Sequence, residues 1–190
     1  MWLSTMRTED TDMEELRVVA VAHCILNQST RWWKEGKKPR RGMVKKVIEA
    51  LASMRIGAVQ MPCPEFSFCG NPRPSRTREE YESLPGFTVH CRRLARDTAE
   101  NLKALTVLSK RPKIKIVAVI GVERSPTCGV KLTPYRRTAQ GGFEYREAKG
   151  LFMEALEEEL RTLKIVVPML GLDLKRPENL IAKIKDKAGR

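Results

Sequence analysis

The sequence predicts a single α/β domain over residues 1–190, in three layers, with a mostly parallel sheet of four or slightly more strands. Helices on both faces of that sheet would give a Rossmann- or flavodoxin-like fold. Short β-branched runs alternate with stretches of helical periodicity, which is typical of βαβ units. The strand-like runs are apolar at nearly every position, as expected for parallel strands buried on both faces.

Four apolar runs are predicted to be strands, at residues 17–23, 57–61, 113–120 and 165–170. Helical spacing of apolar side chains predicts helices over residues 43–54, 91–108 and 149–163. A last helix is expected to begin near Pro177, a favourable first-turn residue. The proline-rich stretch 62–74 and the stretch 121–142, rich in Gly, Thr and Arg, are predicted to be loops. Residues 1–15 are predicted to form an N-terminal extension.

Composition excludes several classes of protein. The chain is 42% hydrophobic and 31% charged, a balance compatible with a folded domain, and its apolar residues are clustered into runs. It contains no run of 18 apolar residues, so we expect no membrane segment. Its N-terminus lacks the basic start and apolar stretch of a signal peptide. A cytoplasmic protein is therefore expected.

The formal net charge is +13, and eight basic residues but one acidic residue lie between Arg31 and Lys46. Such an excess indicates either an anionic partner, such as a nucleotide or tRNA, or a heavily charged surface of the kind common in thermophile proteins. Arginines and lysines also follow Cys63 and Cys128 in the sequence, and this clustering favours the anionic partner.

Cysteine placement indicates one site. Five cysteines in a cytosolic-type chain argue against a disulfide framework. Cys24, Cys63 and Cys128 each follow a different predicted strand, and parallel strands end at one edge of the sheet, where ligands bind. Three thiolates there could hold an iron–sulfur cluster, or a zinc ion with water or His23 as fourth ligand. They could also be buried or nucleophilic cysteines without a metal.

The segments around these cysteines resemble the motifs of the 2-thiouracil desulfidase family. The matching residues are Cys24, Cys63-Pro64-Glu65 and Ser125-Pro126-Thr127-Cys128-Gly129, and the resemblance covers roughly residues 17–135. Two stretches depart from the family pattern, residues 27–31 and residues 66–73. Both stretches would line the predicted pocket, so the substrate of this chain can differ from that of the family.

The resemblance implies a [4Fe-4S] cluster on Cys24, Cys63 and Cys128. Its one open iron would take up the sulfur of a thiolated nucleobase, nucleotide or related thioamide, and sulfur would leave by hydrolysis without net redox chemistry. An acid/base pair is implied beside the cluster and falls to Glu65 and Ser125.

Two further residues are expected to bind substrate. Asn27 lies at the predicted pocket, in one of the two stretches that differ from the family pattern. The guanidinium of Arg73 is suited to binding an anion. Trp32 and Trp33 could stack on a base or cover the core. Cys69 is expected to be passive, and Cys91 to be a small buried residue.

The alternative function is a non-catalytic protein that carries a cluster or zinc and binds RNA or a nucleotide. The net charge of +13 is the observation that suggests it.

Overall fold

The computed structural model describes residues 15–189. The predicted N-terminal extension therefore lies outside the described residues, apart from Glu15. No helix in the described part of the chain is both long and apolar enough to cross a membrane.

Six strands and seven helices make up the described fold. The strands are β1 (Leu16–Ala22), β2 (Gly57–Met61), β3 (Ile114–Val122), β4 (Leu132–Arg137), β5 (Phe143–Glu147) and β6 (Met169–Leu172). The helices are α1 (His23–Leu26), α2 (Lys45–Ser53), α3 (Pro64–Cys69), α4 (Arg78–Glu82), α5 (Phe87–Leu108), α6 (Leu151–Thr162) and α7 (Glu178–Ala188). A short 3₁₀ turn covers Gln28–Thr30.

Four parallel strands form the main sheet in the order β2-β1-β3-β6. Its centre is almost completely buried: Val19, Ala20 and Val21 of β1 are 0% exposed, as are Val119 and Ile120 of β3. Because successive side chains of a strand point to opposite faces, such runs require cover on both sides. The predicted parallel α/β sheet is confirmed.

Helices cover the two faces of this sheet. The chain moves one way across the sheet from β1 to β2 and the other way from β2 to β3, and right-handed crossovers place the connecting helices on opposite faces. Lys46 of α2 accordingly pairs with Glu178 of α7 at 2.8 Å, whereas α5 packs on α6. The strand order reverses between β1 and β3, which is the usual place for a ligand site.

The predicted loop over residues 121–142 is wrong in its second half, because β4 lies there and pairs with β5 in a separate antiparallel hairpin. The Gly141-Gly142 pair lies between the two strands, and Gly141 adopts a φ of 78° that suits glycine. Apolar and polar residues alternate in Phe143–Glu147, a strand signal that the arginine-rich composition obscured. A register shift at Pro134 interrupts the ladder further.

Two prolines explain two further differences from prediction. The stretch 62–74 was expected to lack a helix, yet α3 begins at Pro64, since a first-turn residue needs no N–H donor. The fourth strand was expected at residues 165–170 but begins at Met169. Pro168 accepts a hydrogen bond from Val119 N but has no N–H with which to extend the ladder backwards. Helix α5 begins at Phe87, one turn before the predicted start.

Gly121 brings the end of β3 against the loop that carries Cys128. A Cβ atom at Gly121 would lie 2.2 Å from the carbonyl oxygen of Cys128. That same oxygen accepts a hydrogen bond from Val122 N at 2.8 Å, so the loop folds back onto the strand that precedes it. Only glycine permits this approach.

We therefore expect Gly121→Ala to lower the free energy of unfolding by about 1–3 kcal/mol, the usual cost of overpacking. Urea denaturation followed by circular dichroism measures this change. Gly189→Ala is the control, because its added Cβ would make only an ordinary contact of 3.5 Å. Equal stability of the two variants would contradict the close approach at Gly121.

Candidate functional site

A cavity of about 210 Å³ lies where β1, β2 and β3 end. Cys24, Cys63 and Cys128 all line it, so the structure brings together the three cysteines that the sequence placed at one edge. Glu65, Arg73 and Ser125 line it too. The other lining residues are Arg31, Trp32, Ser75, Arg76, Val122, Glu123, Arg124, Pro126, Thr127, Pro134, Phe143 and Tyr145.

Each cysteine reaches the cavity from a different element. Cys24 lies in α1, the single turn directly after β1. Cys63 is the N-cap of α3, and its Sγ accepts a hydrogen bond from Phe66 N at 3.5 Å. Cys128 lies in the loop after β3, with its Sγ 3.6 Å from the Thr127 hydroxyl oxygen. None of the three forms a disulfide.

Burial raises the pKa of all three thiols. The pKa of Cys63 rises to about 12, first through burial and then through the Glu65 charge. Burial also raises the pKa of Cys24, against an opposing effect of the Arg31 charge, and takes that of Cys128 well above its ordinary value. Without a bound cation these side chains are neutral thiols, and binding of a metal would release their protons.

Arg31 places an unpartnered donor among these thiols. Its Nη1 is buried and has no hydrogen-bond partner in the described part of the chain. Burial lowers the pKa of Arg31, while negative charge on Cys24, Glu65 or Cys63 raises it. A buried guanidinium N–H without an acceptor is costly, so the cavity is suited to an anionic group beside Arg31.

Within residues 15–189, no group of three His, Cys, Asp or Glu side chains lies close enough to hold one metal ion. Thiolates that share a zinc ion lie about 3.8 Å apart, given Zn–S bonds of about 2.3 Å in a tetrahedron. Thiolates of a [4Fe-4S] cluster each bind a different iron, so they need wider spacing. The zinc alternative therefore gains no support from this donor set.

The Glu65 carboxylate accepts four hydrogen bonds in the cavity, and the residue is only 9% exposed. Oε1 accepts from the hydroxyl of Thr127 at 2.7 Å and from that of Ser125 at 3.5 Å. Oε2 accepts from the Tyr81 hydroxyl at 3.2 Å and from Arg73 Nη2 at 3.5 Å. Four donors therefore hold this carboxylate in one orientation beside the cysteines.

Ser125 joins the Cys128 loop to this carboxylate. Its Oγ accepts hydrogen bonds from Cys128 N at 3.0 Å and from Thr127 N at 3.4 Å. Both contacts use lone pairs, so the hydroxyl proton is available to Glu65 Oε1. The structure thus places both members of the predicted acid/base pair in contact.

Arg73 lines the cavity, but most of its guanidinium N–H groups donate hydrogen bonds to other residues of the protein. The residue is 3% exposed; Nη2 donates to Thr30 O at 2.8 Å and Nη1 to Gly70 O at 3.0 Å. Its Nε is buried without a partner among the described residues. The predicted role in substrate binding stays a prediction, whereas the hydrogen bonds of Arg73 join its own loop to the 3₁₀ turn and to α3.

Asn27 is not among the residues that line the cavity. It is exposed, and its side chain accepts a hydrogen bond from Ser29 N at 3.0 Å, which caps the 3₁₀ turn. Of the predicted site residues it is the one that the structure does not bring to the others. Cys69 also lies outside the lining and accepts from Arg76 Nη1 at 3.6 Å. Cys91 is 1% exposed, as expected of a core residue.

Sequence reasoning missed two members of the Glu65 network. Thr127 stands inside the Ser-Pro-Thr-Cys-Gly motif, and that motif was the available signal. Tyr81 had no such signal, because α4 brings it to Glu65 from sixteen residues away. A reciprocal capping box between Thr77 and Glu80 begins this short helix and so positions Tyr81.

Aromatic side chains form part of the cavity wall. Trp32 lines it and is 40% exposed, and Phe143 and Tyr145 of β5 line it from the unpredicted hairpin. Trp33 does not, and its indole N–H donates to the carbonyl oxygen of Lys37. Planar rings around a cavity of this size suit a flat heteroaromatic ligand.

Fold and site together define an α/β protein with three thiols and a buried carboxylate at the switch point of a parallel sheet. A family model described as "Putative 2-thiouracil desulfurase" matches residues 16–185. The chain therefore belongs to this family, and both the family assignment and the expected desulfidase class of enzyme are confirmed.

Two individual proteins are similar to the chain. An uncharacterised protein of Methanocaldococcus jannaschii is 29% identical over 155 residues, which is 82% of this chain and 85% of that protein. Among solved structures, the [4Fe-4S]-dependent thiouracil desulfidase TudS is 19% identical, with a TM-score of 0.51 over 90% of this chain and 99% of that chain. At this identity the likeness supports the fold.

We expect Arg73→Met to lower the free energy of unfolding by about 3–5 kcal/mol, because it leaves the buried Glu65 carboxylate without its cationic partner. Chemical denaturation measures the loss. Arg136→Met breaks an exposed ion pair with Glu144 and is the control, expected to change stability little. A loss no larger than the control's would show that Arg73 does not stabilise this site.

Proposed function

We propose that the protein is a [4Fe-4S]-dependent desulfidase that hydrolyses the thiocarbonyl group of a thiolated nucleobase or related thioamide. The observation that carries the proposal is the convergence of three unpaired cysteines and one buried carboxylate on a single cavity. Membership of the desulfurase family and similarity to the [4Fe-4S]-dependent thiouracil desulfidase TudS support the choice of reaction and cofactor.

The residues present fit the proposed cluster. Cys24, Cys63 and Cys128 would hold it through three thiolates, the ligands that such clusters require. Arg31 has a buried Nη1 without a partner among the described residues, and the negative charge of a thiolate-bound cluster would supply one. When bound, the cluster supplies a Lewis-acidic iron without a protein ligand, to which a soft thiocarbonyl sulfur can bind.

The reaction needs no oxidant or reductant. A C–O bond forms between water and the thiocarbonyl carbon, and the C–S bond breaks with its electrons leaving on sulfur as sulfide. Glu65 accepts one proton of the attacking water at a carboxylate oxygen. Ser125, whose hydroxyl lies 3.5 Å from Oε1 of Glu65, donates its proton to the ring nitrogen on which charge builds up and recovers from Glu65 the proton taken from water.

The remaining residues bind and orient. Thr127, Tyr81 and Arg73 hold the Glu65 carboxylate at a fixed angle, which favours proton transfer over a narrow range of geometries. Trp32 and Tyr145 flank the cavity with aromatic surface and can stack on the base.

Anaerobic purification followed by iron and sulfide analysis tests the cofactor. We expect about four irons and four sulfides per chain. Cys63→Ser should lose the cluster, because serine is a poor ligand for iron in this setting. Cys69→Ser is the matched control and should retain it, since Cys69 lies outside the cavity. A stoichiometric zinc without sulfide would refute the proposed cofactor.

Sulfide release from thiopyrimidines tests the role of Glu65. We expect Glu65→Gln to keep the cluster and to lower kcat by roughly two to four orders of magnitude, the usual contribution of general acid/base catalysis. Glu79→Gln, at an exposed position of α4, is the control and should retain full activity. If Glu65→Gln were as active as wild type, another group would have to be the base.

A further inference from the structure

Five exposed cations lie in a short segment beside the cavity. We call residues 34–41 the basic loop; its cationic side chains are Lys34, Lys37, Lys38, Arg40 and Arg41. No ion pair joins any of the five to a carboxylate in the part of the chain that the structure describes. Lys45 and Lys46, which follow directly, instead pair with Glu49 and Glu178.

The amino end of the basic loop is fixed next to the cavity. Arg31 and Trp32, which precede it, line the cavity. Trp33 is fixed at both its main chain and its side chain: its carbonyl oxygen accepts from Arg73 N at 3.0 Å, and its indole N–H donates to Lys37 O. The basic loop, with its five cations and the single carboxylate Glu35, therefore begins immediately after Trp33, which follows two residues of the cavity lining.

The charge exceeds what a small substrate could use. Arg31 and Arg76 line the cavity, and neither forms an ion pair with a carboxylate among the described residues. These two guanidinium groups are enough to bind a single phosphate. The five cations of the basic loop are exposed and are not part of the lining. A ligand that engages both sets must carry several anionic groups in a row.

We propose that the basic loop binds the phosphates of a single-stranded polynucleotide whose thiolated base enters the cavity. The inference rests on the desulfidase function proposed above. Cys128 is only 6% exposed, so a base held in a duplex stack could not reach it without being extruded. Trp32, at the junction of cavity and loop, supplies the exposed aromatic surface on which an unstacked neighbouring base can stack.

Binding of fluorescein-labelled 12-nucleotide strands, followed by anisotropy, tests the surface independently of catalysis. Each phosphate contact on a single strand contributes about 0.7 to the slope of log K against log salt. Five contacts correspond to a weakening of roughly 100-fold between 50 and 200 mM salt. Oligoribonucleotide and oligodeoxyribonucleotide arms show which sugar backbone the loop prefers, and either one satisfies the proposal.

The loop variant removes the five charges. It carries the substitutions Lys34→Gln, Lys37→Gln, Lys38→Gln, Arg40→Gln and Arg41→Gln. We expect its salt slope to fall by up to about 3.5, the sum of five contacts. Trp32→Ala should weaken binding by roughly 5- to 150-fold, the usual effect of losing one stacked base.

The control variant loses the same number of charges at exposed positions distant from the cavity. Most of them precede β3 or β6, at the amino edge of the parallel sheet, whereas the cavity lies at the carboxyl edge. Its substitutions are Lys103→Gln, Lys110→Gln, Arg111→Gln, Lys113→Gln and Lys164→Gln. It should keep most of the wild-type slope.

Activity separates this inference from the proposed function. The loop variant should release sulfide from a free thiopyrimidine as wild type does, but with a lower kcat/KM on a strand containing the same base. Salt-dependent strand binding without any sulfide release would refute the proposed desulfidase function, but it would still support phosphate binding by the basic loop. The proposed polynucleotide ligand would be refuted if the wild-type protein did not bind the strands, or if the loop and control variants weakened strand binding equally. Tighter binding to anionic phospholipid vesicles than to the strands would also refute it.

Discussion

The buried Glu65–Arg73 pair is the interaction on which the rest of the site depends. Glu65 follows β2 and accepts from Ser125 and Thr127 after β3, while Arg73 donates to Thr30 after β1. One pair thus ties together the loops that carry all three cysteines. A buried carboxylate is tolerated only when its charge and lone pairs are met. The need to satisfy Glu65 therefore holds the strand-end loops in register with one another.

This dependence couples stability to function at the same residues. The carboxylate that we propose as a base is also the acceptor that orders its surroundings, and the loop of Cys128 is fixed both through Ser125 Oγ and through the hydrogen bond from Val122 N to Cys128 O. Such a polar network is rigid only when every member is satisfied. Arg31 Nη1 and Arg73 Nε are the exceptions among the described residues of the cavity, and Arg31 Nη1 marks where an anionic ligand completes the network.

Around this centre the molecule provides two surfaces of different chemistry. The β4–β5 hairpin contributes Phe143 and Tyr145 to the cavity wall, opposite in character to the cationic segment after Arg31. Cations on the hairpin are largely compensated, as in the pairs Arg136–Glu144 and Arg137–Glu80, whereas those of the basic loop are not. Paired arginines contribute little attraction at a distance, so on this side of the molecule the basic loop attracts an anion more strongly than the hairpin does.

The four parallel strands and the convergence of Cys24, Cys63 and Cys128 were predictable from the amino-acid sequence alone, because buried strands carry a local apolar pattern and parallel strands share one edge. Local patterns could not reveal the hairpin, whose alternation is broken at Pro134, or the exclusion of Asn27 from the cavity. Tyr81 reaches Glu65 only through the packing of α4. These contacts depend on the tertiary structure. The hydrogen-bond partners of a buried charge are the residues that lie near it in space, and such contacts produce no periodic pattern in the sequence.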